Sequence, residues 1–470
     1  MIALTLAEIA SAVGGTLRTS GTDAALDTVI DGTVTTDSRE VEPGGVFFAK
    51  RGEFDDGHRF APAAVRQGAA LLVVEHELDL DVPQVVVADT VDALGALATE
   101  VVARARELGE LRIVGVTGSN GKTTTKNLLR AVLEHVGPTV AARASFNNEV
   151  GAPITMLELT PETRFLVAEM GASAVGEIAR LVRMARPDVG IVLKVGLAHA
   201  GEFGGIEQTV RAKSEMVVDL LDTDVAVLNA DDPRVVPMAD LTAARVVWFG
   251  LGTGADVRAV DVTAHARGTD FTVQLAGGES SRVRFGVLGE HHVTNALAAI
   301  AASVELGVPL PAIVQALESV TLAERWRMQV MGGRDGITVI NDAYNASPDS
   351  MAAALKTLAQ VQAPGTRTIA VLGEMSELGE FSGEEHDLIG LLAVRLGISQ
   401  LVVVGQGARR LHITAINEGS WDGESAYVET ADEAYDLVVS LARPGDTVLV
   451  KSSNAAGLRH LGDRLGEWFA

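Results

Sequence analysis

The chain has 470 residues, with 38 Lys and Arg against 62 Asp and Glu, a net charge of −24 and no cysteine. The length suggests about three domains, and 47% hydrophobic with 21% charged residues is the balance of a folded protein, too apolar for disorder. The negative charge argues against nonspecific binding to nucleic acid or an anionic membrane, which both reward cations. Absent cysteine rules out disulfides, thiolate metal sites and a cysteine nucleophile.

The first eight residues have no basic region, and Glu8 interrupts the apolar run, so no targeting segment is expected. The apolar stretch Ala296–Ala302 falls far short of a bilayer span. The expectation is a soluble, cytoplasmic protein.

Three blocks follow one another, taken as residues 1–106, 107–322 and 323–470. The first carries short apolar runs at 71–74 and 84–88, then an Ala-rich helical stretch at 90–108. The second opens on a buried-strand candidate at 112–117, a Gly-rich turn and a helical pattern at 123–136. Further strand candidates at 165–168, 189–193 and 225–228 alternate with helical patterns. That alternation predicts βαβ units and a mainly parallel sheet. Residues 254–285 alternate differently and suggest a small antiparallel insertion. The third block places strand candidates at 337–340, 368–372, 401–404 and 447–450 between helical patterns, as in a second open, Rossmann-like α/β sheet. The fold class is therefore α/β.

The strongest motif is Thr117-Gly118-Ser119-Asn120-Gly121-Lys122-Thr123-Thr124-Thr125, between a predicted strand and a predicted helix. Gly118 and Gly121 let backbone N–H groups curl around phosphate oxygens, and the helix start adds partial positive charge. Lys122 would reach the β- and γ-phosphates, and the Thr123 hydroxyl would ligate Mg²⁺. The general P-loop pattern wants Gly at 116, where this chain has Val116. Such a loop gives nucleotide binding without naming the reaction.

Glu169 follows the candidate strand at 165–168, a position suited to holding Mg²⁺. Taken alone it reads as a surface carboxylate. His199 follows another candidate strand within a Gly-rich loop. Lys213, in Arg211-Ala212-Lys213-Ser214-Glu215, reads by composition as an exposed, solvated lysine.

The loop 117–124 resembles that of the Mur ligases and folylpolyglutamate synthases, and nearly the whole chain is similar to the Mur ligase family. Asp37-Ser38-Arg39, Gly52-Glu53 and Asp56-Gly57-His58 resemble the family's N-terminal uridine-nucleotide domain. Residues 146–151, Glu169-Met170-Gly171-Ala172, the His199 loop, residues 211–215 and residues 289–299 with His292 and Asn295 follow in family order. Residues 341–351 (Asn-Asp-Ala-Tyr-Asn-Ala-Ser-Pro-Asp-Ser-Met) resemble the branch that adds a terminal dipeptide, and residues 373–379 support it. Two departures stand out. Glu324-Arg325-Trp326-Arg327 replaces a Gly-Arg hinge, with Arg325 aligned to the family arginine and Arg327 as competitor. Lys451-Ser452-Ser453-Asn454 replaces Lys-Gly-Ser-Arg.

The resemblance implies a three-domain Mur ligase architecture with a central P-loop ATPase domain. It implies a cytoplasmic, ATP-dependent ligase of peptidoglycan precursors that joins D-Ala-D-Ala to UDP-MurNAc-tripeptide through an acyl phosphate. By the same analogy Gly118, Ser119, Asn120, Gly121, Lys122, Thr123 and Thr124 hold the ATP phosphates. Asn295 lies near the adenine, Asp342 at the ribose, and Arg325 meets the γ-phosphate once the last domain closes. Thr123 and Glu169 bind one Mg²⁺, and His199 with a carbamylated Lys213 binds a second. Ser38, Arg39, Asn148, Tyr344, Asn345 and Ser350 are substrate-side candidates, and the family precedent is a monomer. The nearest alternative is a ligase adding the third amino acid. Its C-terminal Asp-Asn-Pro-Arg motif is absent here, since Asp231-Asp232-Pro233-Arg234 lies in the central block. Folylpolyglutamate synthase, which would not need the uridine domain, and an unrelated P-loop ATPase are more distant readings.

Overall fold

The structure, a computed structural model, describes residues 1–19, 26–52, 55–143, 145–196, 205–322, 324–419 and 423–470. Four sheets organise the described residues. In the N-terminal part, Leu4–Thr5 pairs with Val29–Ile30, and a five-stranded sheet runs in the order Thr16–Arg18, Gln84–Val86, Leu71–Val74, Val46–Phe48, Val34–Thr35. The helix Thr90–Leu108 then buries Leu94, Leu97, Ala98 and Val101 on one face, the stripe its 3.6-residue period requires. Asp89 caps its start by accepting from Val91 N and Asp92 N, both at 2.8 Å.

The central sheet has nine strands. Its parallel core places Val189–Val192, Arg112–Thr117 and Phe165–Glu169 side by side, with Thr139–Ala141 at the edge. Glu169 is paired with Val116 and Val192 with Thr117, so three strands end level at one rim of the sheet. A ligand belongs at that carboxyl rim. On the other side Val225–Asn229 and Arg245–Gly250 continue the parallel run. The expected antiparallel insertion is an extension of this same sheet. Val257–His265 joins Arg245–Gly250 in parallel, and Gly268–Leu275 and Ser280–Phe285 add antiparallel strands.

The stretch 296–302 is a core element. Ala296 to Ala302 lie fully buried in the helix Glu290–Glu305, which packs on the helix Lys122–Leu133. Alanine allows that close approach, so the P-loop helix sits on a firm base. No helix among the described residues is long and apolar enough to cross a membrane.

The C-terminal sheet has the order Gln329–Gly332, Thr338–Asn341, Thr447–Lys451, Thr368–Leu372, Gln400–Val404, Ser425–Val428. All pairings are parallel except the first. Its carboxyl rim brings Asp342 beside Lys451, and the helix Pro348–Gln360 starts nearby.

Candidate active site

Strand, loop and helix form a short cradle. The strand runs through Thr117 and the helix begins at Lys122. Position 116 thus lies inside the strand, where Val116 is fully buried, and the tight turn needs glycine only at 118 and 121. Gly118 has φ +151° and Gly121 φ +89°. A Cβ on Gly121 would run into Asn295 Oδ1. Gly121→Ala is therefore expected to cost roughly 1–2 kcal/mol from its backbone alone, read as a lower Tm together with weaker ADP binding. No side chain caps this helix start, which leaves its N–H groups for an anion.

Neighbouring strand ends fix the loop. Ser119 N donates to Lys194 O at 2.7 Å, and Gly196 N donates to Ser119 Oγ at 2.9 Å. Thr117 Oγ1 donates to Met170 O at 2.8 Å. Lys122 Nζ folds over the loop onto Gly118 O at 2.8 Å. Burial lowers its pKa, Glu169 opposes that shift, and Arg327 adds to it.

Glu169 is 1% exposed. Its Oε1 accepts from Asn147 Nδ2 at 2.8 Å and Thr123 Oγ1 at 3.2 Å. Its Oε2 is buried with no hydrogen-bond partner, and Lys126 Nζ lies 3.9 Å away. A hydroxyl and a carboxylate converging beside a phosphate loop suit a hard divalent cation, which takes its other ligands from phosphate and water. No cluster of three or more His, Cys, Asp or Glu that could hold a metal occurs among the described residues.

Lys213, on the helix Ile206–Val218, is 2% exposed. Burial, then repulsion from Lys122, lowers its pKa to about 7, against the opposing pull of Glu177 and Glu215. The solvated lysine expected from composition is instead a buried group.

The third domain closes the other wall. The cleft between the domains measures about 1020 Å³ and is lined by P-loop residues together with Arg327, Asp342, Tyr344 and Lys451. Lys451 Nζ donates to Asp342 Oδ2 at 2.6 Å and to Asn345 O at 3.0 Å. Tyr344 OH lies 3.2 Å from Ser145 Oγ, itself 3.4 Å from Thr123 Oγ1. Ser347 Oγ donates to Asn120 Oδ1 at 3.1 Å, and Lys194 pairs with Asp349 at 2.8 Å. His291 and His292 flank the cleft with ring centroids 4.2 Å apart. Burial pushes His291 down to about 4 and His292 well below the usual range, which favours the uncharged rings, and His292 Nδ1 lies 3.4 Å from Asn295 Nδ2. Flat neutral rings and an amide suit a nucleobase.

Three family models match the chain in sequence: the Mur ligase family catalytic domain over residues 32–111, the Mur ligase middle domain over 116–303, and the Mur ligase glutamate ligase domain over 326–454. The UDP-N-acetylmuramoyl-tripeptide–D-alanyl-D-alanine ligase of Mycobacterium tuberculosis is 43% identical over 99% of this chain and 98% of its own length. The chain belongs to the Mur ligase family. The crystal structure of MurF from Acinetobacter baumannii is similar at TM-score 0.88 and 32% identity, over 99% of both chains. That of MurF from Thermotoga maritima, a complex with ADP, has TM-score 0.82 and 27% identity over 94% of this chain and 99% of that one.

Within this Mur ligase the sequence-derived residues divide. Gly118, Ser119, Asn120, Gly121, Lys122, Thr123 and Thr124 form the loop, and Glu169, Asn295, Asp342, Tyr344, Asn345 and Ser350 reach the same cleft. Arg325 does not. Its guanidinium bonds Asp463 at 3.0 Å and stacks on Trp326, while Arg327 stands in the cleft over the Tyr344 ring with a buried, unpartnered Nε. Trp326, in the turn between them, has φ +59°, and the two arginines point to different partners. Asn148 lines the cleft, but its Oδ1 holds the start of the helix Gly151–Met156, and Asn147 is the one that grips Glu169. The Ser350 hydroxyl serves the capping box with Ser347. Ser38 and Arg39 lie apart from the cleft lining, and Arg39 forms a bidentate pair with Asp37. Where the family arginine is missing, Asn454 is held by Arg459. His199 lies outside the described residues.

Proposed function

We propose that the chain is an ATP-dependent ligase that joins D-Ala-D-Ala to UDP-MurNAc-tripeptide, giving UDP-MurNAc-pentapeptide, ADP and phosphate. The observation that carries the chemistry is the single cleft in which the P-loop, Thr123 and Glu169 of one domain face Arg327, Asp342 and Tyr344 of another. Full-length likeness to ligases of this specificity supports the substrates. The family precedent is a monomer, and we propose the same here.

The tripeptide carboxylate attacks the γ-phosphorus of ATP, forming an acyl phosphate and releasing ADP. The amine of D-Ala-D-Ala, having shed its ammonium proton, adds to the acyl carbon. Collapse of the tetrahedral adduct expels phosphate and leaves an amide, with loss of the second amine proton. Two anions must meet in the first step, so concentrated positive charge lowers its barrier. Lys122 and the free N–H groups of its helix receive the phosphates. Arg327 faces them from the third domain and is the arginine we assign to the transferred phosphoryl, in place of Arg325. Thr123 and Glu169 would hold Mg²⁺, which supplies charge neutralisation of the phosphate oxygens. A carbamate on Lys213, with His199, would hold a second ion. A buried lysine is an unfavourable cation, and carbamylation turns it into an anion that a metal can pair. Neutral His291 and His292 with Asn295 receive the adenine, and Asp342, steadied by Lys451, the ribose. Ser38 and Arg39 are assigned to the uridine-nucleotide end, and Asn148, Tyr344, Asn345 and Ser350 to the reacting peptide ends.

Phosphate release separates this reading from a simple ATPase. With ATP and Mg²⁺, fast release is expected only when UDP-MurNAc-tripeptide and D-Ala-D-Ala are both present, and it should match pentapeptide formation one to one. Equal rates without either acceptor would establish an ATPase instead.

A further inference from the structure

Lys126 is a charged residue that the chemistry above leaves unused. It lies one helical turn beyond Lys122 on the helix Lys122–Leu133 and is 0% exposed. Lysine is among the residues least often buried completely, because its ammonium loses hydration that only partners can replace. Here Nζ donates to Ala142 O at 2.7 Å and lies 3.9 Å from Glu169 Oε2. That oxygen has no hydrogen-bond partner of its own, while Oε1 of the same carboxylate is held by Asn147 and Thr123.

The geometry divides the carboxylate into two halves. Oε1 is fixed by neutral donors. Oε2 feels a full positive charge held just beyond hydrogen-bond contact, because the ammonium is anchored on a carbonyl. A buried carboxylate with no cation nearby is strongly unfavourable. A cation in direct contact would occupy the oxygen that a metal needs. A separation of 3.9 Å avoids both.

We propose that Lys126 is the resident counter-ion of Glu169: it balances the carboxylate and holds it aimed in the empty enzyme, and it makes metal binding there conditional on nucleotide. With Lys126 in place, the pocket around Glu169 has little uncompensated negative charge to attract free Mg²⁺. The phosphates of ATP supply the missing charge, so the ion enters together with nucleotide. Lys126 is a positioning residue, since it acts through Glu169 and does not line the cleft.

The inference rests on the proposed Mg²⁺ site at Glu169, and the test keeps the two apart. Mg²⁺ should strengthen ADP binding to the parent enzyme, and Glu169→Gln should remove that gain. If it does not, the metal assignment itself is wrong. Given that result, the parent's Tm should not respond to Mg²⁺ without nucleotide. Lys126→Met should lower Tm by roughly 5 °C or more, and Mg²⁺ alone should restore part of the loss. The double variant Lys126→Met/Glu169→Gln, which removes both charges, should melt above Lys126→Met. A packing role for the lysine stem predicts the reverse: no gain from Mg²⁺ and a double variant no more stable than the single one. Either result would overturn the proposal. So would millimolar or tighter Mg²⁺ binding to the nucleotide-free parent, an isothermal titration that needs no variant to fold.

Discussion

Lys122→Ala is expected to reduce kcat by about 10³-fold or more while leaving the fold intact, as judged by an unchanged Tm and circular dichroism. Removing one preorganised donor from a developing oxyanion costs on the order of 10²–10³ in rate. Lys122 is a full charge aimed at phosphates that must approach another anion, so the loss belongs at or above that range. Stability is spared because, among the described residues, the Nζ hydrogen bond runs to the Gly118 carbonyl at the cleft wall. The helix below is held by Leu128, Leu129, Val132 and Leu133, none of which the substitution touches. Lys122→Arg should not recover full activity, because a planar fork does not fit where a compact ammonium reaches over the loop. Full activity in the alanine variant would remove the phosphate-binding role.

Lys213→Ala is expected to lose on the order of 10²-fold or more in activity, the scale seen when a metal's supporting groups are removed. The side chain is 2% exposed, so its removal leaves an internal space next to the proposed ion. A short-chain acid such as acetate should enter that space and restore part of the rate, because it supplies the carboxylate that the carbamate provided. Restoration by the acid, with none from a neutral amide of the same size, separates a ligand role from a packing role. The pKa of about 7 sets the direction of the pH dependence in the parent enzyme. Carbon dioxide adds to the neutral amine, which predominates above pH about 7 and becomes scarce below it. Added bicarbonate should therefore stimulate activity more at pH about 6 than at pH about 8. Parent-like activity of Lys213→Ala at every pH would exclude the carbamate.

Buried parallel strands could be read from the sequence because they are apolar on both faces. Arg112–Thr117 and Thr368–Leu372 begin and end where their apolar runs do. Edge strands escape this signal. Ser425–Val428 is only half-buried along its length, Gln329–Gly332 alternates in exposure, and Thr139–Ala141 has three residues. In the site, loop glycines and the following Lys-Thr-Thr carry their own position, whereas Glu169 alone reads as a surface carboxylate and pairs with Thr123 only through the family resemblance. Lys126 could not be recognised by residue type, since lysine reads as surface. Helical spacing did hold the clue: 126 falls in line with Leu129 and Leu133 on the buried face. The family resemblance favours Arg325 over Arg327, because the turn around Trp326, with its positive φ, cannot be read from residue types. Asn147 and Asn148 are adjacent and identical, and only the turn into Gly151–Met156 decides which one faces the carboxylate.

The seam between the second and third domains includes short polar links: Ser347 to Asn120, Tyr344 to Ser145, Asn127 to Glu324, and the half-exposed Lys194–Asp349 pair. Hydrogen bonds of this kind net about 0.5–1.5 kcal/mol each, and an exposed ion pair about 0–1 kcal/mol. A lining of hydroxyls, amides and a solvated ion pair is a poor gasket. Exclusion of water then falls mainly to bound ligands, and in the proposed reaction the acyl phosphate awaiting its amine is the species most at risk. Any phosphate released with tripeptide and no dipeptide would thus gauge how often the seam opens. Weakening it by Ser347→Ala should quicken that release even where ATP affinity is unchanged.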